Sequence, residues 1–286
     1  MKNYDCIIIG AGPAGISSAI YLQRSNLNIL LIEKNAPGGR MLQASEISNY
    51  AGMSGSGAEL AEKMFLMIDL SKVDFEVDEV TEVIKLDNDE FDVVTRRNKF
   101  HTKKIILATG FINRPLKDTN EADFVGRGIS YCALCDAPLV KNKTILCYGS
   151  GAKTLQEVNY LATLAEKVYL ITSSKDGISE NIEVLRNSKI IKFNGMFGLN
   201  SVTIEQDGVQ KDIECQMAFI FNGYTPGTKF VENLGITNKA GLIEVNQFLE
   251  TNVKNIYAVG DVNIKDVKQV ATAVGDGAYA ASKILR

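Results

Sequence analysis

The stretch that most limits how this chain can fold is Gly10-Ala11-Gly12-Pro13-Ala14-Gly15, set between an apolar run over 4–9 and a helical pattern over 16–24. A second apolar run over 29–33 ends on Glu33. Strand, glycine turn, helix and strand, in that order, are what a dinucleotide-binding βαβ unit needs. The first glycine makes the turn, the second lets a pyrophosphate approach the backbone, and the third lets helix and sheet close up. Glu33, 23 residues beyond Gly10, stands where a carboxylate accepts a hydrogen bond from an adenosine ribose.

The loop Lys34-Asn35-Ala36-Pro37-Gly38-Gly39-Arg40 follows at once. Two adjacent glycines there suit close passage of backbone past a second bulky group, such as the ribityl and flavin half of FAD. A turn-rich stretch over 49–57 leads to a predicted helix over 58–71, and short strands over 75–86 and 90–95 read as a small appended sheet. The run 104–110 is a further strand ending in Thr109-Gly110, after which 111–116, with Pro115, reads as a linker.

The pattern then repeats, with a strand over 144–148, the turn Gly149-Ser150-Gly151-Ala152-Lys153-Thr154, a helix over 155–164 and a strand over 167–172. Two features weaken this second turn as a dinucleotide site. Thr154 occupies the third, normally small, position, and Thr172-Ser173-Ser174-Lys175-Asp176-Gly177 has Thr172 at the strand end where NAD suits Asp or Glu, and a lone Lys175 in place of the arginines that suit NADP. The segments 241–245 and 251–259 return to the first unit, Gly260-Asp261 closes the last strand, and a helix is predicted over 269–285. The expected fold is α/β, with two Rossmann-like three-layer domains of the FAD/NAD(P)-binding type, the second inserted into the first. Residues 1–113 and 238–286 are expected to form the FAD-binding domain and 114–237 the inserted unit.

The 45% apolar and 23% charged composition describes a globular chain, and a formal charge of −3 gives no reason to expect nucleic acid as a partner. No apolar run is long enough for a membrane span or a signal peptide, which makes the cytoplasm the expected location. Of the five cysteines, Cys6, Cys147 and Cys215 lie in or beside strand-like runs and read as small core residues. Cys132 and Cys135, followed by Asp136, have a spacing that suits thiol redox chemistry, half of a zinc site or two inert thiols. With His101 as the sole histidine, zinc lacks a good ligand set, and no metal is expected.

The glycine turn, the Ala108-Thr109-Gly110 strand end, Gly126-Arg127-Gly128-Ile129-Ser130 followed by Cys132-Ala133-Leu134-Cys135-Asp136, and Gly260-Asp261 together resemble the low-molecular-weight flavoprotein thioredoxin reductases over nearly the whole chain. The missing arginine cluster after 172 resembles the clostridial-type, ferredoxin-dependent flavin branch of that family. The resemblance implies FAD held by Gly10, Gly12, Pro13, Ala14, Gly15, Glu33, Lys34, Gly39, Arg40, Asn49, Val80 (through its backbone, at the adenine), Thr109, Gly110, Gly260, Asp261, Lys268, Gln269 and Val270. It implies catalysis by Cys132, which attacks the disulfide of thioredoxin, by the flavin-proximal Cys135, and by Asp136 as acid or base. It also implies a homodimer and reduced ferredoxin as electron donor. A disulfide close enough to flavin to be reduced is covered against a partner, so the linkers near 111–116 and 238–241 suggest that the inserted domain rotates to expose the thiols. Arg96, Arg97, Lys99, Lys103 and Lys104 read as a solvated surface or, alternatively, as a basic ferredoxin-docking patch. An NADPH-dependent thioredoxin reductase and a non-catalytic flavin-binding redox sensor are the alternatives.

Overall fold

The computed structural model describes residues 2–44, 46–175 and 177–286. The first unit is built on a parallel sheet in the order Ile256–Ala258, Ile105–Leu107, Cys6–Ile9, Ile29–Glu33, Val73–Val77. Strands of near-continuous Ile, Leu and Val are what a sheet covered on both faces requires. One face is covered by helices α1 (Pro13–Leu22) and α2 (Gly57–Phe65) and, at the far end of the chain, by α5 (Val270–Ile284), which packs along α1. The contact between α1 and α5 is backbone-close, since a Cβ on Gly277 would sit 2.1 Å from the carbonyl oxygen of Ala14. Ser17 and Ser18 on α1 donate to the carbonyls of Val274 and Gly277 at 2.8 and 3.2 Å.

A four-stranded sheet, Lys2–Tyr4, Lys99–Thr102, Phe91–Thr95 and Val80–Lys85, covers the other face. Two sequence expectations change here. The run over 4–9 is two strands in two different sheets, because the chain bends at Asp5, where the N–H groups of Asp5 and Cys6 share the carbonyl of Asn28 at 2.9 and 3.3 Å. The start of the strand expected over 75–86 falls instead in Val73–Val77, which pairs in parallel with Ile29–Glu33 as the edge of the main sheet.

The inserted unit repeats the plan. Its parallel sheet runs Ile129–Ser130, Met217–Phe221, Thr144–Gly149, Lys167–Ile171, Ile182–Val184, with an antiparallel sheet of Ser188–Asn194, Ser201–Gln206 and Val209–Glu214 on one side. Helices α3 (Ala133–Asp136) and α4 (Ala152–Ala162) lie on the other. The chain leaves the first unit through Phe111–Asn113 and returns through Tyr224–Pro226, and these two segments pair antiparallel as a ribbon. Val231, Ile236 and Ile243 share a core with Ile7, Ile105 and Ile256. We therefore place the return crossing at the ribbon rather than at 238.

Candidate functional site

In the first unit, the glycine turn fits a dinucleotide for reasons that can be measured. A Cβ on Gly15 would lie 1.8 Å from the carbonyl oxygen of Gly10, so only glycine lets α1 start against the strand end, whereas a Cβ on Gly12 would meet nothing within 4 Å. That open side is where a pyrophosphate can reach the backbone amides at the start of α1, with Pro13 occupying the first helical position. Ala14 is buried and would touch a Cβ on Gly260 at 2.9 Å, which ties the terminal Gly260-Asp261 turn to the first one. Glu33 turns its carboxylate back to the glycine loop, Oε2 accepting from Ala11 N–H at 2.7 Å and Oε1 from Asn35 N–H at 3.0 Å. An ionised carboxylate retains lone pairs beyond these two bonds for a ribose hydroxyl. Asp78 N–H donates to the carbonyl of Glu33 at 3.0 Å, which brings the corner leading to Val80 beside the same strand end, while Lys34 lies exposed beyond it.

The second glycine loop closes on the first. Gly38 N–H donates to Ala11 O at 2.7 Å, and Gly39, at φ 56°, lies against the Cα of Gly12. Arg40 reaches Asp261 at 3.5 Å, and Asn49 donates to Gln269 at 3.1 Å. Lys268 points back into the turn, its Nζ donating to the carbonyls of Asp261 and Asn263 at 2.8 and 3.0 Å and lying 4.5 Å from the ring centre of Phe111. Burial lowers its pKa to about 8 against the pull of Asp261, with Lys265, Lys153 and Arg40 adding repulsion. Gly110 takes φ 57°, and the buried hydroxyl of Thr109 beside it has no hydrogen-bond partner. An orphaned buried hydroxyl is what a cofactor-facing position leaves when only protein atoms are counted. Val270 begins α5 directly after Gln269. The expected cofactor residues thus converge from the two glycine loops, Asn49, the 109–110 turn and the 260–270 segment, and they fit an extended flavin dinucleotide.

Cys132 and Cys135 form a disulfide with Cα atoms 5.4 Å apart, and Cys132 caps α3, its Sγ accepting from Cys135 N–H at 3.2 Å. Helix α3 packs against Ile47–Tyr50, the strand that carries Asn49, so the disulfide-bearing helix of the inserted unit faces the flavin side of the first unit. Asp136 is 4% exposed and its Oδ1 has no partner. Burial raises its pKa, a hydrogen bond from Ser130 opposes this, and Glu46 adds to it. Three further residues of this neighbourhood were given no role by the sequence, although Ser130 lies in the motif that precedes the cysteines. Ser130 Oγ also accepts from Cys132 N–H at 3.1 Å. Glu121, 2% exposed, accepts from Leu116 N–H at 2.7 Å and from the hydroxyl of Tyr131. Gln43 accepts from Asn113 on the ribbon at 2.9 Å. Of these pairs, only Gln43 and Asn113 are far apart in sequence, brought together by the fold.

The second glycine turn is well formed despite Thr154, whose methyl packs 3.1 Å from where a Cβ on Gly149 would be. Its loop is tied by hydroxyls, and Arg186, unremarkable in sequence, reaches back to the carbonyl of Thr172 at 3.1 Å. Asp176 lies outside the described residues. No group of three or more His, Cys, Asp or Glu among the described residues is placed to hold a metal ion, and no helix among them is long and apolar enough to cross a membrane.

A family model for pyridine nucleotide-disulphide oxidoreductases matches residues 4–277, so the two dinucleotide folds and the redox disulfide define a protein of that class. Thioredoxin reductase of Mycoplasmopsis pulmonis is 34% identical over 99% of this chain and 97% of its own length. The crystal structure of thioredoxin reductase from Streptococcus pyogenes overlaps with a TM-score of 0.93 at 33% identity, covering 99% of this chain and 97% of that one. The chain belongs to the low-molecular-weight flavoprotein thioredoxin reductases, and its cofactor is FAD.

These findings overturn the expected ferredoxin-dependent branch and ferredoxin as donor. A ferredoxin-flavin thioredoxin reductase from Clostridium acetobutylicum, 31% identical over 100% of this chain and 98% of that one, overlaps with a TM-score of only 0.55. The basic patch expected to receive ferredoxin is largely neutralised within the chain. Arg96 pairs with Glu79, Arg97 lies beside Glu76 and Asp78, and Lys99 and Lys103 contact Asp92 and Asp5 at 2.8 Å each. The expectation of ferredoxin came from the absence of arginines over 172–177; Arg186 reaches that loop from beyond the next strand.

Proposed function

We propose that this chain is an NADPH-dependent thioredoxin reductase that passes two electrons through FAD to Cys132–Cys135 and from there to the disulfide of thioredoxin. The observation that carries this reading is the placement of the disulfide-bearing α3 against the Asn49 strand, beside the converged FAD residues. Bound FAD supplies the electron relay that joins a hydride donor to a disulfide. Two electrons and two protons convert the disulfide to two thiols. Cys132, as thiolate, attacks one sulfur of the thioredoxin disulfide and forms a mixed disulfide, releasing the other thioredoxin sulfur as a thiolate. Cys135 then attacks Cys132, restores the internal disulfide and frees the second thioredoxin sulfur. The Cys135 N–H directed at Cys132 Sγ favours the thiolate, and Asp136, kept neutral to higher pH by burial, is suited to deliver a proton to a leaving sulfur. The balance is NADPH, a proton and thioredoxin disulfide to NADP⁺ and thioredoxin dithiol. A homodimer in the cytoplasm completes the reading, and sedimentation of the purified holoenzyme checks the dimer.

Rapid anaerobic mixing with NADPH is the test. Loss of the flavin's visible absorbance, followed by thioredoxin turnover that disappears in both Cys132→Ser and Cys135→Ser, is expected. A flavin that dithionite bleaches and NADPH does not would end the proposal. Flavin reduction without any thioredoxin turnover would favour a redox sensor instead.

A further inference from the structure

Gly195-Met196-Phe197-Gly198 lies in the turn between two strands of the inserted unit's antiparallel sheet, Ser188–Asn194 and Ser201–Gln206. A Cβ on Gly195 would lie 1.8 Å from the carbonyl oxygen of Gly198, so the two glycines meet backbone to backbone and the side chains between them are driven outward. Asn200 N–H closes the turn on the carbonyl of Asn194 at 2.8 Å. Met196 is 77% exposed and Phe197 is 89% exposed, the two highest values for a large apolar side chain among the described residues. A pair so placed adds nothing to this chain's own core.

The turn is also held in place. Arg127 donates from Nη2 to the carbonyl of Met196 at 2.9 Å and from Nε to that of Phe197 at 3.3 Å, and its guanidinium lies 5.9 Å from the ring centre of Phe124. Leu199 N–H donates to Arg127 O at 2.9 Å. An apolar tip fixed in this way loses less entropy on binding than a loose one. Its anchor is close to the chemistry. Arg127 stands five residues before Cys132, at most about 18 Å along the chain, and the strand between them, Ile129–Ser130, is an edge of the parallel sheet. Leu134, between the two cysteines, is exposed as well. A protein interface of ordinary size covers about 800 Å² of each partner, a patch roughly 30 Å across, which is wide enough to take in the cysteines and the turn together.

We infer that Met196 and Phe197 form an apolar anchor for the acceptor protein whose disulfide Cys132 attacks, seated in an apolar depression near that disulfide. The occupant follows from the placement. The turn belongs to the same unit as the cysteines and stays beside them in any orientation of that unit, which a docking site for the acceptor must do, whereas a contact made by the first unit would be left behind. The inference rests on the reading that thioredoxin is the acceptor, and it adds where this chain grips it: on a hairpin turn outside the motif that carries the cysteines.

The test is rapid mixing of holoenzyme, first reduced with a stoichiometric amount of dithionite, with rising concentrations of oxidised thioredoxin, following the return of the flavin's absorbance. Phe197→Ser should raise the half-saturating thioredoxin concentration roughly tenfold, the scale of losing one well-packed interface side chain, and leave the limiting rate within about twofold. Phe197→Leu, which keeps an apolar tip, should recover most of that loss. Urea unfolding of both variants should match wild type, because the side chain stands almost wholly in solvent. An unchanged half-saturating concentration in Phe197→Ser, or a slower limiting rate without a change in it, would overturn the anchor. Sedimentation showing that Phe197→Ser breaks a dimer, with thioredoxin saturation unaltered, would assign the tip to a second copy of this chain instead. The acceptor reading fails differently. Reduced wild type that thioredoxin never reoxidises would end both readings, whereas reoxidation indifferent to residue 197 would end this one alone.

Discussion

Asp136 is the residue whose surroundings say most about its chemistry. A carboxyl with one oxygen buried and unpartnered holds its proton to higher pH than a solvated aspartate. If it is the acid that serves a leaving sulfur, Asp136→Asn should slow thioredoxin reduction roughly 100-fold, the lower end for general acid–base catalysis, and leave flavin reduction by dithionite untouched. The wild-type rate should fall as pH rises through this raised pKa, a limb that the Asn variant lacks; a pH–rate profile of both proteins checks it. His101 offers a second test, unrelated to catalysis. Its ring bridges Asp92 at 3.1 Å and Glu90 at 2.9 Å, and these bonds raise its pKa above 6.5. The pair's contribution to stability is therefore full below about 6.5 and is lost as pH rises through the raised folded-state value. Thermal melts should show that slope in wild type, and His101→Gln should remove it.

At the scale of elements, the glycine loops separate folding from binding. Gly15→Ala places a methyl 1.8 Å from a backbone oxygen and should cost about 3 kcal/mol or more, or prevent folding. Gly12→Ala meets no protein atom, so the fold should survive; FAD affinity should fall tenfold or more because the methyl fills the side left for the pyrophosphate. Urea unfolding and flavin retention on gel filtration distinguish the two. These loops were legible in the sequence because turn chemistry is local, and the same is true of the CxxC segment and the duplicated βαβ plan. Helix α2 was read to 71 and stops at Phe65 for a reason that no local pattern contains. Gln23, at the end of α1, donates to Met67 O at 3.0 Å and accepts from Asp69 N–H at 2.7 Å, drawing that segment out of helical register. Arg186 was missed likewise, since the loop it serves is 12 to 14 residues away and reached only through the fold.

For the whole molecule, the resting arrangement sets a constraint on turnover. With α3 against Ile47–Tyr50 and Cys132 and Cys135 half-buried, we propose that the inserted unit rotates for thioredoxin to reach Cys132. A Cβ on Gly126 would lie 3.8 Å from the carbonyl oxygen of Gln43, which brings the two units within reach of a short tether. A Gln43→Cys, Gly126→Cys double variant joined by a bismaleimide should lose thioredoxin turnover by roughly tenfold or more while dithionite still reduces the internal disulfide. Unchanged turnover in the tethered protein would rule out the rotation.

The ribbon that joins the units makes the inserted unit separable. At one end Gly227 N–H donates to Gly110 O at 3.1 Å, and at the other Arg114 N–H donates to Gly223 O at 3.0 Å, with Phe111 and Tyr224 ring to ring at 4.0 Å between them. Where the chain exits one body and re-enters it at adjacent residues, a loop of a few residues can replace everything in between with little closure entropy. Joining residue 110 to 227 would yield a flavin protein with no dithiol. The excised piece from 114 to 223, its ends already in contact, would carry the dithiol without flavin and be suited to grafting at a surface turn of similar span.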